Sequence, residues 1–337
     1  MSSHEANLAC AEGLRKTFPD ADVVAVDVSD GGGGFLQAMH PERLLSCHVH
    51  DAMMRWTSAS FGISQTTGII EVAQAVGLEK IEKKLRNPLL ATSYGVGELM
   101  VHAWQAGCQQ FVIGLGGSAT SDCGLGMLKC LRDYEQTQNR KMWYDLFDSS
   151  VLRNVKVTLA TDVCNPLLGA HGAAHVFAPQ KGANDYQVAC LERKAATFAR
   201  MAAAHQGYDR SDMPGAGAAG GLGYAFMQFM DANVKSGAEV VLDACNFDRL
   251  LEKADLVVTG EGAADDQTLM GKLPDVVLKH AKKAGKPVWL VAGRLEKQKE
   301  LMKAGFARTI CINEGKPMSE NALKTSVAQE RMRGVKW

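Results

Sequence analysis

The segment Thr259-Gly260-Glu261-Gly262-Ala263-Ala264-Asp265-Asp266-Gln267-Thr268-Leu269-Met270-Gly271-Lys272 places three carboxylates, an amide and an ammonium within fourteen residues. Beside the end of an apolar run, such groups can hold a divalent cation, accept a proton from a hydroxyl and neutralise a phosphate. Asp265 and Asp266 equally suit the first turn of a helix, where a carboxylate meets the positive end of the helix dipole. A second polar set comprises Asp162, Asn165, Gln180 and Lys181, separated by Gly169 and Gly172. Asp and Asn suit a hydroxylated ligand or a hard cation. Lys181 suits a phosphate or carboxylate, unless it is simply a solvated surface lysine.

Around these groups the sequence is rich in glycine, with 34 Gly against 9 Pro. The glycines cluster at Gly31–Gly34, at Gly116-Gly117-Ser118-Ala119-Thr120, in the run from Gly215 to Gly223, and at Gly260 and Gly262. Backbone lacking Cβ approaches a ligand closely, and successive N–H groups form an anion site. Together the turns point to a phosphorylated ligand; the run at 215–223 also suits a flexible lid or a close helix-packing surface. A P-loop is absent, because Gly271-Lys272 is followed by Leu273 and lacks a glycine at the required offset. Gly114 to Ala119 partly matches the dinucleotide fingerprint, with Asp133 and Glu135 near the expected acidic position, so a nicotinamide-dependent dehydrogenase is a remote alternative. Cys47-His48-Val49-His50-Asp51 looks metal-binding, but on a strand His48 and His50 share one face and Cys47 and Asp51 the other.

Short β-branched runs precede these turns: Val23–Val28, Phe111–Leu115, Val155–Thr161, Leu256–Thr259, Val288–Ala292 and Thr309–Ile312. Helical patterns fill the gaps at Asn7–Phe18, Gly97–Ala106, Gly124–Arg132, Val188–His205, Leu222–Ala232 and Asp275–Lys283. The polar stretch Asp133–Lys141 reads as a surface excursion. This alternation predicts an α/β protein with mostly parallel strands, whose ligands bind at the carboxyl ends. A length of 337 residues suits two domains. With 37 Lys+Arg against 37 Asp+Glu, the chain has no net field to hold a nucleic acid or an anionic membrane surface. Nine scattered cysteines without Cys-x-x-Cys, and the lack of a signal-like or membrane-spanning run, predict a reduced, cytoplasmic protein.

The order of the motifs resembles the bacterial type of the type-I glycerate kinase family. The resembling stretches are Asp30-Gly31-Gly32, Arg86-Asn87-Pro88-Leu89, Thr92 to Leu99, Gly116 to Thr120, Asp162 to Leu167, Phe177 to Ala183, Gly215 to Gly223 and Thr259 to Lys272, in register from about residue 5 to beyond 320. The resemblance implies two Rossmann-like α/β domains, one inserted in the other, with the active site in the interdomain cleft. Residues 1–51 with 272–337 would form the discontinuous domain and 52–271 the insert. It further implies ATP and Mg²⁺, D-glycerate as substrate and 2-phosphoglycerate as the usual product, 3-phosphoglycerate staying open; a homodimer also stays open. On this reading Asp265 is the base near the reacting hydroxyl, with Glu261, Gln267 and Lys272 beside it. Asp30, Asp162, Asn165, Gln180 and Lys181 contact substrate, and Asp162 and Glu261 hold Mg²⁺. Gly116, Gly117, Ser118, Thr120, Gly215, Gly217, Gly220 and Gly221 receive phosphate.

The sequence departs from the family pattern at several points. The family opens with a strand and a Pro-Asp-Ser-Phe-Lys turn, whereas here Met1 falls directly at the first helix. Gly33 stands where the family has a carboxylate, Cys164 replaces an Asp and Ala263 an Arg. A misplaced start accounts for the first difference only. An impaired relative that binds a ligand or partner without turnover accounts for all of them, so it is the alternative to an active kinase.

Overall fold

The computed structural model describes residues 3–139 and 155–312. The chain divides into two compact units, residues 30–237 and residues 1–29 with 238–337. These boundaries differ from the expected ones at 51/52 and 271/272. Residues 30–51 belong with the larger sheet because they supply its edge strand, and residues 238–271 belong with the smaller sheet because they supply its first strand.

The larger unit carries a six-stranded sheet, β1 (Arg43–His50), β2 (Trp56–Ser64), β3 (Thr67–Glu71), β4 (Gln110–Gly114), β5 (Lys156–Ala160) and β6 (Asn233–Lys235), in that spatial order. The first two pairings are antiparallel and the remaining three parallel. The expected runs at Phe111–Leu115 and Val155–Thr161 are β4 and β5. Ile113 and Leu159 are fully buried in a core shared with Leu99 and Met127 from the flanking helices Tyr94–Gln105 and Leu125–Asn139. The hairpin β1–β2 escaped the sequence reading as a pair because its outer face is polar: Ser46 lies opposite Ser60 and His48 opposite Ser58. Residues 133–139 continue the helix Leu125–Asn139 instead of forming a surface excursion, and Arg140 and Lys141 lie outside the described residues.

The smaller unit has a three-stranded parallel sheet, β7 (Val257–Ala264), β8 (Val288–Leu295) and β9 (Arg308–Cys311). β8 is buried on both faces, as a central parallel strand must be. Leu290 and Ala292 pack with the helix Leu273–Lys283, while Trp289 and Val291 pack with Ala9 of the helix Ser3–Thr17. The segment Val23–Val28 forms no strand. No ladder partner exists for it among the described residues, and the helix Ser3–Thr17 binds its backbone instead. Asn7 donates to the Val26 carbonyl at 2.7 Å and Arg15 to that of Val23 at 3.2 Å, leaving Val24 exposed. β7 also runs farther than expected, through Gly260-Glu261-Gly262, because its register with β8 continues to Ala264↔Leu295.

His280, on the helix Leu273–Lys283, bridges two other helices of this unit. Its Nδ1 lies 2.6 Å from Asp248 and its Nε2 3.0 Å from Glu239. Donating from both ring nitrogens requires the imidazolium, and although burial opposes the charge, the two carboxylates hold the pKa above 6.5. The bridge therefore contributes stability that is full below pH 6.5 and is lost as pH rises through the raised value. Since Asp248 and Glu239 are open to solvent, the contribution is about 1 kcal/mol. Thermal unfolding should show His280→Ala lowering the melting temperature at pH 6 by more than at pH 9. An equal loss at both pH values would count against a protonated bridge.

Candidate active site

In the larger unit four chain segments meet at the carboxyl ends of β4 and β5. The Gly116 N–H donates to the Gly31 carbonyl at 2.8 Å, and a Cβ on Gly116 would stand 2.3 Å from the Gly32 Cα. Gly31 has φ +91°, and a Cβ there would lie 2.2 Å from the Ala160 carbonyl oxygen at the end of β5. Only glycine fits such backbone-on-backbone contact. The same junction gathers carboxylates. Asp162 accepts the Gly237 N–H at 3.0 Å, and Asp30 accepts the Gly32 N–H at 3.1 Å. Burial pushes the half-buried Asp162 carboxyl above its ordinary pKa; the Asp30 charge acts in the same direction, while the Ser236 hydroxyl and the Gly237 N–H oppose it.

Glu71, unremarked in the sequence, secures this loop. It ends β3, is 3 % exposed, and accepts the Leu36 N–H at 3.1 Å; the N–H groups of Gly34 and Phe35 also point to it. It thus caps the short helix Phe35–Ala38 from 35 residues away. Removing it would leave the buried Leu36 N–H without its acceptor, at about 1–3 kcal/mol. Glu71→Ala should therefore lower the melting temperature by roughly 2–12 °C. A variant melting like the wild type would show that the cap carries no weight.

The turn Gly116–Thr120 is pinned from several sides. The Ala119 N–H donates to Val76 at 2.8 Å and the Leu78 N–H to Gly117 at 2.8 Å. Beyond it, Asp122 accepts the backbone N–H groups of Ser93, Gly124 and Gly126 and the Ser93 hydroxyl, at 2.8–3.2 Å. With the Gly116 and Ala119 N–H groups committed, those of Gly117, Ser118 and Thr120 are the ones without an acceptor among the described residues. These three N–H groups are unspent, and of their residues Gly117 is exposed while Ser118 and Thr120 are buried. The turn is not a helix start, since the next helix begins at Leu125 and Asp133 and Glu135 lie on that helix, which removes the geometry of the dinucleotide fingerprint.

The glycine run 215–223 packs behind this turn and is not a lid. Residues 219–221 depart from helical geometry, with φ of 52°, 69° and 91°. Gly220 backs onto Thr120 and Ser121, and Gly221 onto Cys123. The Gly217 N–H donates to the Asn165 carbonyl at 2.9 Å, and Gly215 packs beside Val163 and Val234. The Asn165 amide in turn donates to the His171 carbonyl at 2.8 Å, so both ends of that residue shape the loop. Gln180 is exposed, whereas Lys181 is buried, donating to the Thr120 carbonyl at 2.6 Å and the Ser118 hydroxyl at 3.3 Å.

The smaller unit carries the second group of candidate residues. Thr268, fully buried, links them. Its hydroxyl accepts the Asp265 N–H at 2.9 Å and donates to the Glu261 carboxylate at 2.5 Å. Burial raises the Glu261 pKa and the Asp265 charge adds to this, while the Thr268 bond and the Lys272 ammonium oppose it. Glu261, Asp265, Thr268 and Lys272 thus form one polar cluster at the carboxyl end of β7. Asp266 and Gln267 lie in the 3-10 turn Asp266–Leu269, and their side chains lie outside what is described. Cys164 is exposed and Ala263 sits within β7 opposite Arg294, so neither places a charge of its own in these clusters.

Glycine turns and carboxylates gathered at the carboxyl ends of parallel strands define an α/β ligand-binding protein suited to phosphorylated small molecules. The sequence profile of the glycerate kinase family matches residues 1–333. The chain is 38 % identical over 314 residues to a glycerate kinase of Halalkalibacterium halodurans and 38 % identical over 315 residues to the glycerate 2-kinase of Escherichia coli. Each alignment covers 88 % of this chain and 82 % of the relative. A crystal structure described as a glycerate kinase 2 from Salmonella typhimurium LT2 superposes with a TM-score of 0.78 at 35 % identity, covering 98 % of this chain and 92 % of that one. The chain belongs to the glycerate kinase family, and it is by that membership a kinase, with ATP as the implied phosphoryl donor.

Proposed function

We propose that the protein transfers the γ-phosphoryl group of ATP to the 2-hydroxyl of D-glycerate, giving 2-phosphoglycerate and ADP. The observation that carries this reading is the three-donor cradle Gly117, Ser118 and Thr120 on the same strand ends as the carboxylates Asp30 and Asp162. The name of the E. coli relative, a glycerate 2-kinase, supports the choice of hydroxyl.

Each unit is assigned roles of its own. In the larger one, the cradle N–H groups bind phosphate oxygens and cost no reorganisation during transfer. Asp30 and Asp162 are hard oxygen donors whose mutual repulsion a cation relieves, and among the described residues no third carboxylate or imidazole joins them. That set fits Mg²⁺, which takes one or two protein carboxylates and completes its shell with substrate phosphates and water. When bound there, Mg²⁺ supplies charge neutralisation to the phosphates.

In the smaller unit, Asp265 accepts the proton of the reacting hydroxyl. Its backbone is fixed on Thr268 by two bonds, the second being the Thr268 N–H to the Asp265 carbonyl at 3.1 Å. Glu261 holds the Thr268 hydroxyl that anchors this turn, and Lys272 offers positive charge to the glycerate carboxylate or a transferred phosphate. The test is incubation of the purified protein with ATP, Mg²⁺ and D-glycerate, with product identity read by ³¹P NMR. The 2-phosphoglycerate resonance with stoichiometric ADP supports the reading; 3-phosphoglycerate would reassign the acceptor hydroxyl.

A further inference from the structure

Lys181 is 3 % exposed, at the end of the 3-10 turn Pro179–Lys181. Its ammonium donates to the Thr120 carbonyl at 2.6 Å and to the Ser118 hydroxyl at 3.3 Å, both in the cradle turn. Among the described residues no carboxylate lies within ion-pair distance of it. Asp122 is the charge whose field reaches it, and that carboxylate is committed to Ser93, Gly124 and Gly126. The cation Arg86, whose backbone passes beside Gly182, turns its guanidinium to the carbonyls of Leu78 and Ile81. The interior therefore holds an ammonium that is hydrogen-bonded but lacks a counter-ion, a costly arrangement unless an anion arrives to complete it.

We propose that Lys181 is a positioning residue for anion binding: from inside the fold it fixes the Ser118–Thr120 turn and supplies the buried positive charge that a phosphate on the turn's outer side completes. The proposal rests on the reading of Gly117, Ser118 and Thr120 as the phosphate cradle. It also revises the expectation of direct substrate contact, since the ammonium is shielded by the turn it holds. By holding the Thr120 carbonyl and the Ser118 hydroxyl, it fixes the turn that carries the free N–H donors. Burial pulls the Lys181 pKa down to about 8, partly offset by Asp122. The charge that favours the anion is thus lost as pH rises past 8, and anion binding takes a proton back up.

The experiment is calorimetric titration of the full chain with ATP and Mg²⁺ at pH 7.5 and pH 9, for the wild type, Lys181→Arg and Lys181→Met. At pH 9 a group of pKa about 8 is about nine-tenths neutral, so wild-type affinity should fall about tenfold, with proton uptake visible as a dependence of heat on buffer ionisation enthalpy. Lys181→Arg keeps its charge and should bind with little change between the two pH values. Lys181→Met should bind at pH 7.5 as weakly as the wild type does at pH 9. The same fall with pH in Lys181→Arg as in the wild type overturns the proposal. If Lys181→Arg does not fold, the wild type decides alone, and absence of proton uptake at pH 9 overturns it. ATP binding with this pH signature but without transfer to D-glycerate supports the Lys181 proposal and defeats the kinase reading. No ATP binding at pH 7.5 overturns both.

Discussion

Asp265→Ala is expected to lower kcat for phosphate transfer to D-glycerate by about 10²–10⁴-fold, the range for removing a positioned general base. The KM for ATP should change little, because the groups proposed to hold its phosphates lie in the other unit. The turn should survive the substitution, since both bonds between residue 265 and Thr268 come from its backbone N–H and carbonyl and remain available to alanine. Steady-state kinetics together with thermal unfolding check this. A variant that folds normally and turns over at the wild-type rate would remove Asp265 from the chemistry. Loss of both fold and activity would assign it to the turn instead.

Gly116→Ala is expected to disrupt the larger unit's site and to destabilise the chain. The added Cβ would meet the Gly32 Cα at 2.3 Å and the Gly32 nitrogen at 2.9 Å, backbone atoms that cannot swing aside as a flexible side chain can. Overpacking of this kind costs about 1–3 kcal/mol, which for a unit of this size is a fall in melting temperature of roughly 2–12 °C. Moving the Asp30–Gly34 loop also displaces Asp30 from Asp162, so ATP binding should weaken in parallel. Gly33→Ala is the control. Nothing lies within 4 Å of a Cβ at Gly33, and its φ is not positive, so both stability and binding should hold within experimental error. Equal behaviour of the two variants would contradict the close-packed junction.

The contrast between these neighbouring glycines shows where sequence reasoning runs out. A glycine-rich turn after an apolar run is visible in the sequence, and β4 and β5 lie where their apolar runs predict. Which glycine is pressed against backbone and which faces open space depends on segments more than 80 residues apart, such as Gly32 against Gly116. Glu71 and Thr268 were missed for the same reason. A lone Glu after Ile70, or a Thr inside a polar stretch, carries no mark of the buried donors or acceptor it will meet. Thr268 at least had a local signal, being seven residues from the Glu261 it binds. Lys181 read as a surface or ligand-facing lysine because lysines are rarely buried, and its burial came from the packing of the 179–181 turn under the cradle. Val23–Val28 erred in the other direction. Its composition favours a strand, but a strand also needs a partner, and side chains of the helix Ser3–Thr17 hold its backbone instead.

The junction at β4 and β5 and the Glu261–Thr268–Asp265 cluster together make the claim that this chain moves a phosphoryl group. Turnover itself is the decisive quantity. The most direct measurement follows ATP, D-glycerate and Mg²⁺ with the wild-type protein by ³¹P NMR, beside Asp265→Ala at equal concentration. The account predicts 2-phosphoglycerate and ADP appearing together in the wild type, at least about 100-fold faster than in the variant. ATP bound by the wild type without any phosphoglycerate formed, or equal rates in the two proteins, would contradict it.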